Sequence, residues 1–278
     1  MPPVSASLCL PYFFAWSAGS PCSSTRAPSF AVNCPRSSEV GKAAAFFDID
    51  RTLLVGTSLE SCFLRSAWRR KLLSPLALAR NLPAGLRALG LAGKARGFPI
   101  PAGLPWRTRL RYAFFSGNKA YLAGLSLERC HRLAQAALEE EVLPRLSPRA
   151  IGRIREHRAS GCWIVLLSGT LDFLAQPLQA YLQADRLLAA RPEIEGGRLT
   201  GRLAEPHPYG ARKQSLLLEI ATEEGIDLAD SFAYADHHTD VPFLEAVGHP
   251  VAVNPDRKLY RIARERGWQI EWFGRERA

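Results

Sequence analysis

A short apolar run that ends in two carboxylates is the feature that most constrains this chain. Residues 45–47, Ala-Phe-Phe, lead directly into Asp48-Ile49-Asp50-Arg51-Thr52. Such a run predicts a short, fully buried parallel strand, and in open α/β sheets the reactive groups lie at the carboxyl ends of these strands. Residues two apart in an extended chain point to the same side, so Asp48 and Asp50 can face one bound phosphoryl group. One carboxylate would attack and the other would handle the proton.

A second apolar run, residues 164–167, is followed by Ser168-Gly169-Thr170 and then by a helical pattern of apolar residues. This arrangement predicts a strand that ends at a hydroxyl group and leads into a helix. Ser168, Gly169 and the free N–H groups of the helix start can surround phosphate oxygens. The alternative is that Ser168 only caps the helix, which is common for serine at this position.

Lys213 stands at the start of a predicted helix over residues 214–224. Its ammonium group could neutralise a phosphate and the attacking carboxylate. Alternatively, it is a solvated surface charge, as a lysine at a helix start usually is, so the first interpretation depends on the neighbouring motifs.

A third apolar run, residues 232–235, ends at Asp236, and Asp240 follows four residues later. Carboxylates at a strand end suit Mg²⁺, which takes one or two protein carboxylates, water and substrate phosphate oxygens. His237 and His238 raise the alternative of a transition metal. Because adjacent side chains are expected to diverge and no third histidine lies at a ligand spacing, we expect both to be loop residues.

In this order, the four motifs resemble those of the haloacid dehalogenase (HAD) superfamily of hydrolases. The resemblance extends over residues 43–272 and is greatest to the phosphoserine-phosphatase-like branch, subfamily IB. That branch has a Gly-His-Pro-Val-Ala-Val-Asn-Pro-Asp segment after the fourth motif, here residues 248–256. The resemblance implies an α/β fold: a Rossmann-like, doubly wound parallel sheet core with an inserted helical cap domain.

The resemblance also implies roles for particular residues. Asp48 would be the nucleophile, and Asp50 the general acid and then the general base. Ser168, Gly169 and Lys213 would bind the substrate phosphate. Mg²⁺ would be held by Asp48, Asp236 and the backbone carbonyl of Asp50, with Thr52 and Asp240 in support. Since dehalogenases and ion-pumping ATPases of the superfamily lack a carboxylate at the position of Asp50, the implied activity is phosphomonoester hydrolysis through an aspartyl phosphate.

The chain departs from the family pattern at two positions that bear on the site. Arg51 stands where many relatives carry glycine. Phosphoserine phosphatases carry a glutamate nine residues after the nucleophile to bind the amino group, and Thr57 stands there, with only Glu60 nearby. The second departure argues against phosphoserine as the substrate.

Three parts of the 278-residue chain differ in composition. Residues 1–40 are rich in serine and proline and have no acidic residue before Glu39, so we predict a disordered extension, either a targeting segment or a consequence of an upstream start. Residues 54–146 are predicted to form the helical cap. Residues 41–53 and 147–278 are predicted to form the core, with a small hairpin within residues 192–203.

Positive charge is concentrated in the predicted cap. Residues 51–135 hold fifteen Lys or Arg and two Glu, a local net charge of +13 in a chain of net charge +10. The charge is either the solvated face of an arginine-rich cap or a surface for anionic lipid head groups. We do not expect nucleic-acid binding, because the aromatic residues are not spaced as stacking platforms.

The scattered cysteines Cys62, Cys130 and Cys162 predict reduced thiols and a cytoplasmic protein, with peripheral attachment to a membrane as an option. Two functions follow from the sequence. The first is a Mg²⁺-dependent phosphomonoesterase that acts on a small metabolite or a lipid head-group phosphate. The second is a non-catalytic or weakly catalytic membrane-surface binding protein on a phosphatase fold. The presence of Asp48, Asp50, Ser168, Lys213 and Asp236 together favours the enzyme.

Overall fold

A parallel six-stranded sheet forms the centre of the fold. The computed structural model describes residues 41–72 and 119–274. The sheet strands are β1 (Ala44–Phe47), β2 (Trp163–Leu171), β3 (Arg186–Ala190), β6 (Phe232–Ala235), β7 (His249–Val253) and β8 (Gln269–Glu271). Their order is β3-β2-β1-β6-β7-β8, and every neighbouring pair is parallel. The predicted doubly wound α/β core is therefore confirmed.

The order of the strands reverses between β1 and β6. Strands β2 and β3 lie on one side of β1, whereas β6, β7 and β8 lie on the other. In sheets of this kind, ligands bind outside the carboxyl ends of the strands at the reversal point. Asp48 follows β1 directly and Asp236 follows β6 directly, so the topology places both residues there.

Seven described α-helices accompany the strands. They are α1 (Leu59–Arg69), α2 (Leu127–Ala137), α3 (Pro148–Ala159), α4 (Asp172–Leu182), α5 (Ala211–Glu224), α6 (Val241–Leu244) and α7 (Arg257–Arg266). Short 3-10 helices span Ala120–Leu122, Leu143–Arg145 and His238–Asp240, and a π-helical turn spans Leu138–Val142. Side-chain caps fix the starts of four helices by accepting a backbone N–H, as is usual for serine and aspartate: Ser58, Ser126, Ser147 and Asp256.

Alternating residues of the central strands pack on opposite faces of the sheet. Phe47 and Leu166 belong to one buried cluster, whereas Phe46 and Val165 belong to the other. All four side chains are fully buried. Because both faces are covered, the strands are apolar at consecutive positions, and this explains the uninterrupted apolar runs in the sequence.

A third buried cluster lies among α1, α2, α4 and a two-stranded hairpin. Phe63 of α1, Leu133 of α2 and Phe173 of α4 contribute to it. The hairpin joins β4 (Pro192–Glu195) to β5 (Arg198–Leu203), and both turn glycines, Gly196 and Gly197, have positive φ. The predicted hairpin is confirmed, and its Gly-Gly turn is of the kind that matches strand twist.

The boundaries of the predicted cap, residues 54–146, stay a prediction. Residues 73–118 lie outside the described part of the chain, and so do residues 1–40, for which an extension was predicted. Leu59, Phe63 and Ala67, which lie within the predicted cap segment, are buried on one face of α1. The described cysteines, Cys62, Cys130 and Cys162, are buried and not disulfide-bonded, as predicted.

Several arginines in the described part of the basic segment form ion pairs. Arg65 Nε lies 3.0 Å from Glu141, Arg69 lies 3.2 Å from Glu140, and Arg70 also contacts Glu140. These arginines therefore face acidic residues of the same chain. Much of the predicted basic surface, including Arg80 and Arg87, lies outside the described residues. In residues 41–72 and 119–274, every helix is too short or too polar to span a bilayer.

Candidate active site

Three carboxylates and one ammonium group meet at the carboxyl ends of β1 and β6. We call Asp48, Asp236, Asp240 and Lys213 the strand-end cluster. Carboxylate oxygens of the three aspartates all lie within 4.8 Å of one another. Each side chain of the cluster is buried, with between 4% and 8% of its residue surface exposed. The sequence placed these residues in three separate motifs, and the fold brings them together.

Lys213 holds two of the carboxylates. It lies in the first turn of α5, which begins at Ala211 and not at residue 214 as the sequence predicted. Its Nζ donates to Asp48 Oδ1 at 2.6 Å and to Asp240 Oδ2 at 2.9 Å. Burial alone would lower the pKa of Lys213, but Asp240 and Asp48 outweigh burial and raise it. The alternative of a solvated surface lysine is therefore wrong, and Lys213 is a buried cation.

Three hydrogen bonds orient Asp48, one from its backbone and one to each of its carboxylate oxygens. Its backbone N–H donates to Tyr234 O at 2.9 Å, which fixes the end of β1 against β6. Thr52 Oγ1 donates to Asp48 Oδ2 at 3.1 Å, while Lys213 contacts the other oxygen. Thr52 thus supports the carboxylate, as the resemblance implied. Burial raises the pKa of Asp48, and Lys213 opposes this effect only in part.

The strand-end cluster carries more negative than positive charge. Burial raises the pKa of Asp236 to about 8, and repulsion from Asp48 and Asp240 adds to the effect. Hard carboxylate oxygens in a tight group, short of positive charge, are the ligands that Mg²⁺ prefers. The donor set and its charge therefore fit a divalent cation, with Asp48 and Asp236 as ligands and Asp240 bound to Lys213.

Asp50 lies beside the cluster but has a different environment. Its Oδ1 accepts the backbone N–H of Leu59 at 2.8 Å, at the first residue of α1. Burial, followed by repulsion from Asp48, raises the pKa of Asp50 to about 7. A carboxyl group with this pKa holds and releases a proton near neutral pH, which is what a general acid and base requires.

The residue after Asp50 has an unusual backbone. Arg51 has a φ of 64°, in the left-handed region that glycine adopts without strain. This conformation explains why glycine is common there in relatives. In this chain the turn is held by Arg51 N, which donates to Thr57 O at 3.1 Å, and by Asn254 Nδ2, which donates to Arg51 O at 3.2 Å.

Ser168 lies inside strand β2 and not at the end of the strand, where the sequence predicted it. Strand β2 continues through Ser168 to Leu171, and α4 begins only at Asp172. Ser168 therefore does not cap the helix, and the alternative of a capping role is wrong. It is fully buried, and its Oγ accepts the N–H of Thr170 at 3.2 Å. The extended strand separates it from the N–H groups of the helix start.

A cavity of about 550 Å³ opens above the strand ends. Its lining includes four of the predicted residues already described, Asp48, Asp50, Lys213 and Asp236, and also Asp240 and Gly169. The sequence did not single out Thr170 and His207, which also line it. Thr170 Oγ1 and His207 Nδ1 are buried without a hydrogen-bond partner among the described residues. A polar ligand in the cavity would supply partners for both atoms.

Gly169 allows His207 to reach this position. A Cβ at residue 169 would lie 2.5 Å from Cε1 of His207, closer than the two atoms can approach. Burial, together with Lys119 and Lys213, lowers the pKa of His207 to about 3. A neutral imidazole therefore covers Gly169 at the edge of the cavity.

A second buried group of polar residues lies on the helical side of the cavity. We call Glu60, Lys119 and Tyr121 the helix-side cluster. Lys119 Nζ donates to both carboxylate oxygens of Glu60, at 2.8 and 2.7 Å, and Tyr121 OH also donates to Glu60. Lys119 is 1% exposed. Glu60, which the sequence marked only as near Thr57, lines the cavity.

The hairpin positions Lys119. Its N–H donates to Gly201 O at 3.1 Å, and a Cβ at residue 201, where φ is 85°, would lie 2.8 Å from the Cα of Ala120. Only glycine permits this close approach with that backbone conformation. The sequence offered little signal for this contact, because Lys119 and Glu60 are 59 residues apart.

His237 and His238 correct one further prediction. We expected their side chains to diverge, but their ring centroids lie 4.3 Å apart and both rings approach Asp256. The reason is that the backbone is extended at His237 and turns into a 3-10 helix at His238. The expectation that both are loop residues is met for His237, whereas His238 begins the short 3-10 helix.

The comparisons with known proteins agree with this fold. A family model described as haloacid dehalogenase-like hydrolase matches residues 45–245. A protein named "Inhibition of morphological differentiation protein" from Streptomyces azureus is 34% identical over 235 residues, which cover 84% of this chain and 79% of that protein. A protein named phosphoserine phosphatase from Mycobacterium tuberculosis is 31% identical over 231 residues, covering 83% and 71%.

A solved structure is also similar. The crystal structure of a protein of unknown function from Bordetella pertussis has a TM-score of 0.67 and 25% sequence identity, covering 84% of this chain and all of that one. The chain therefore belongs to the haloacid dehalogenase-like hydrolase family. The predicted enzyme class, a phosphatase of this family, is confirmed at that level.

Proposed function

We propose that the chain is a Mg²⁺-dependent phosphomonoesterase that works through an aspartyl phosphate on Asp48. The observation that carries the proposal is the strand-end cluster: a buried carboxylate held by Lys213 and Thr52, with Asp50 beside it at a raised pKa. A bound Mg²⁺, held by Asp48, Asp236 and the backbone carbonyl of Asp50, would offset the negative charge of the phosphoryl group.

The side chains divide the reaction into two steps. In the first, Asp48 attacks phosphorus, the bond to the leaving oxygen breaks, and Asp50 donates its proton to that oxygen. In the second, Asp50 removes a proton from water, which attacks phosphorus and releases phosphate and Asp48. A group with a pKa near 7 serves in both directions at neutral pH. Lys213 stabilises the transferring phosphoryl group, and Gly169 and Thr170 form the β2 end of the cavity wall.

The helix-side cluster bears on the class of substrate. Glu60 is the cavity-lining carboxylate closest in sequence to Thr57, the position at which phosphoserine phosphatases are expected to bind the amino group, but Lys119 and Tyr121 already bind it. A substrate ammonium group would have to displace Lys119, which is almost fully buried. The arrangement favours phosphomonoesters without an α-amino group, a small metabolite or a lipid head-group phosphate, over phosphoserine.

Phosphate release from a panel of esters tests the proposal. The panel holds phosphoserine, sugar phosphates and phosphatidylglycerophosphate, each with Mg²⁺ or with EDTA. We expect Mg²⁺-dependent turnover in the wild type, none with EDTA, and a loss of at least a thousandfold in Asp48→Asn. Glu223→Gln, an acid-to-amide change on the exposed surface of α5, is the matched control and should keep full activity.

The covalent step has a separate readout. Asp50→Asn should slow the second step and accumulate the aspartyl phosphate, which borohydride reduces to homoserine at position 48, detectable by peptide mass spectrometry. The absence of homoserine in Asp50→Asn, with turnover retained in the wild type, would exclude the covalent route. Absence of turnover on every ester, with vesicle binding by the folded protein, would favour the membrane-surface alternative.

A further inference from the structure

A cluster of two imidazoles and a carboxylate lies outside the strand-end cluster. His238 Nδ1 is 2.6 Å from Asp256 Oδ2, and His237 Nε2 is 3.4 Å from the same oxygen. One nitrogen from each histidine and an oxygen of Asp256 lie within 4.8 Å of one another. The three side chains are between 30% and 36% exposed, so solvent reaches them.

The backbone around the cluster orients each group. Thr239 contacts His237 Nδ1 twice: its Oγ1 lies at 2.9 Å, and its backbone N–H donates to Nδ1 at 3.4 Å. Metal binding through Nε2 requires the Nδ1–H tautomer, which would donate to Thr239 Oγ1 and give up the longer backbone contact. Asp256 caps α7 with Oδ1, which accepts Leu259 N–H at 2.7 Å, and this leaves Oδ2 toward the histidines. Such hydrogen bonds behind the ligands fix the orientation of metal-binding rings and carboxylates.

The distances are close to those of a tetrahedral metal site. Bonds of about 2.0–2.1 Å to zinc place two ligand atoms roughly 3.3 Å apart. The pair of His237 Nε2 and Asp256 Oδ2 is already at 3.4 Å. The contact between His238 and Asp256, at 2.6 Å, is a hydrogen bond without metal and would widen by less than 1 Å.

From this geometry we propose a second metal site, which binds Zn²⁺ or a similar divalent transition metal through His237, His238 and Asp256. Two imidazoles and one carboxylate suit such ions, whereas Mg²⁺ prefers oxygen ligands alone. His237 follows Asp236 directly and also lines the catalytic cavity. A metal in this site would fix the loop of residues 236–240, which carries two carboxylates of the strand-end cluster.

Zn²⁺ binding to the full chain in saturating Mg²⁺ tests the site. Isothermal titration calorimetry should find one zinc ion that Mg²⁺ does not displace. His238→Gln removes a ligand, and Asp256→Asn removes a ligand charge while keeping an oxygen that can cap α7. Each substitution should weaken zinc binding more than tenfold. Loss of a hydrogen-bond partner behind a metal ligand already weakens binding by about 10- to 100-fold, so loss of a ligand should weaken it by at least tenfold. His131→Gln, a histidine change on α2, is the matched control and should bind as the wild type does.

Two outcomes would overturn the proposal. Equal zinc binding in the wild type, His238→Gln and Asp256→Asn would place the ion elsewhere. Displacement of zinc by Mg²⁺, or loss of zinc binding in Asp236→Asn with no loss in His238→Gln, would place it in the strand-end cluster. Circular dichroism of each variant shows whether it is folded, and the visible spectrum of bound Co²⁺ gives a second, spectroscopic measure of the same site.

Discussion

The two polar clusters on either side of the cavity differ in their balance of charge. The strand-end cluster has three buried carboxylates for one ammonium group, Lys213. The helix-side cluster has one carboxylate, Glu60, that is matched by Lys119 and a hydrogen bond from Tyr121. A buried charge without a partner costs several kcal/mol, so a balanced cluster is what folding alone favours. The unbalanced cluster marks where a ligand supplies the missing charge.

This difference separates two roles that the sequence could not distinguish. Both clusters contain a buried lysine at a carboxylate. In the strand-end cluster, burial, followed by repulsion from Asp48 and Asp240, raises the pKa of Asp236 to about 8, which is a cost to the protein without a cation. In the helix-side cluster, the charges are satisfied within the protein, so Glu60 and Lys119 shape the cavity rather than bind an ion.

Removal of Lys213 should have the largest effect. Lys213→Met leaves Asp48 and Asp240 buried without their cation, and we expect kcat/KM to fall about a thousandfold. The free energy of unfolding should fall by about 3–5 kcal/mol, because the remaining charges lose their partner. Steady-state kinetics and urea unfolding measure both effects. Arg212→Met, one residue earlier and paired with Glu219 at the surface, is the control. Similar losses in both variants would mean that the burial of Lys213 is not what matters.

Disruption of the helix-side cluster should lower stability more than it lowers the rate of the chemical step. Lys119→Met leaves Glu60 only 12% exposed and without its cation, so we expect a loss of about 3 kcal/mol. The double variant Glu60→Gln with Lys119→Met should recover part of it. Arg132→Met, which breaks an exposed pair with Glu128, should cost less than about 1 kcal/mol. If the double variant is less stable than Lys119→Met, the two residues do not act as a balanced pair.

The same variant tests the proposed choice of substrate. With Lys119 replaced, Glu60 is released to bind an ammonium group, so the ratio of kcat/KM for phosphoserine to that for an ester without an amino group should rise. An unchanged ratio would show that Lys119 does not oppose amino-bearing substrates. The measurement needs only the ratio within one variant, so a general loss of activity does not obscure it.

Some parts of the molecule could be predicted from sequence, and others could not. Strand ends that carry Asp48 and Asp236 were predictable because a buried parallel strand is apolar throughout, and here the first polar residue after β1 and β6 marks the end of the strand. The depth of Ser168 was not, because nothing in its sequence shows that β2 continues three residues further. The pairing of Glu60 with Lys119 depends on contacts between distant segments. The convergence of His237 and His238 depends on a change of backbone conformation between them.

Removal of a carboxylate from the strand-end cluster should raise the free energy of unfolding, whereas removal of Lys213 or Lys119 should lower it. Asp236→Asn removes a buried carboxyl group whose pKa is raised to about 8, so without metal the variant should be more stable than the wild type by up to about 4 kcal/mol at pH 7. From pH 3.8 to 8 the folded protein keeps a proton on Asp236 that the unfolded chain has lost, so this contribution lowers wild-type stability as pH rises. The advantage of the variant should therefore grow from pH 5 to pH 7.

Unfolding in EDTA and in Mg²⁺ checks this prediction. Mg²⁺ should stabilise the wild type and have less effect on Asp236→Asn, because the variant has lost a proposed ligand. Glu60→Gln, by contrast, should be less stable than the wild type in both conditions, since it removes the carboxylate charge that Lys119 Nζ contacts through both oxygens. A destabilised Asp236→Asn in EDTA would show that the strand-end cluster is not under electrostatic strain.

A neutral buried pair extends the comparison to a group that burial keeps uncharged. His157 is fully buried, its Nε2 lies 2.6 Å from Tyr234 OH, and burial followed by the charge of Arg153 lowers its pKa to about 3. Between pH 6.5 and 3 the unfolded chain binds a proton that the folded protein does not, so stability falls as pH falls. The slope is about 1.4 kcal/mol per pH unit. His157→Gln should remove this slope between pH 6 and 4, whereas Tyr234→Phe should keep it, because burial and not the hydroxyl group is the main cause. Equal slopes in His157→Gln and the wild type would show that His157 is protonated in the folded protein, and burial without a charged partner would then not suffice to keep a group neutral in this core.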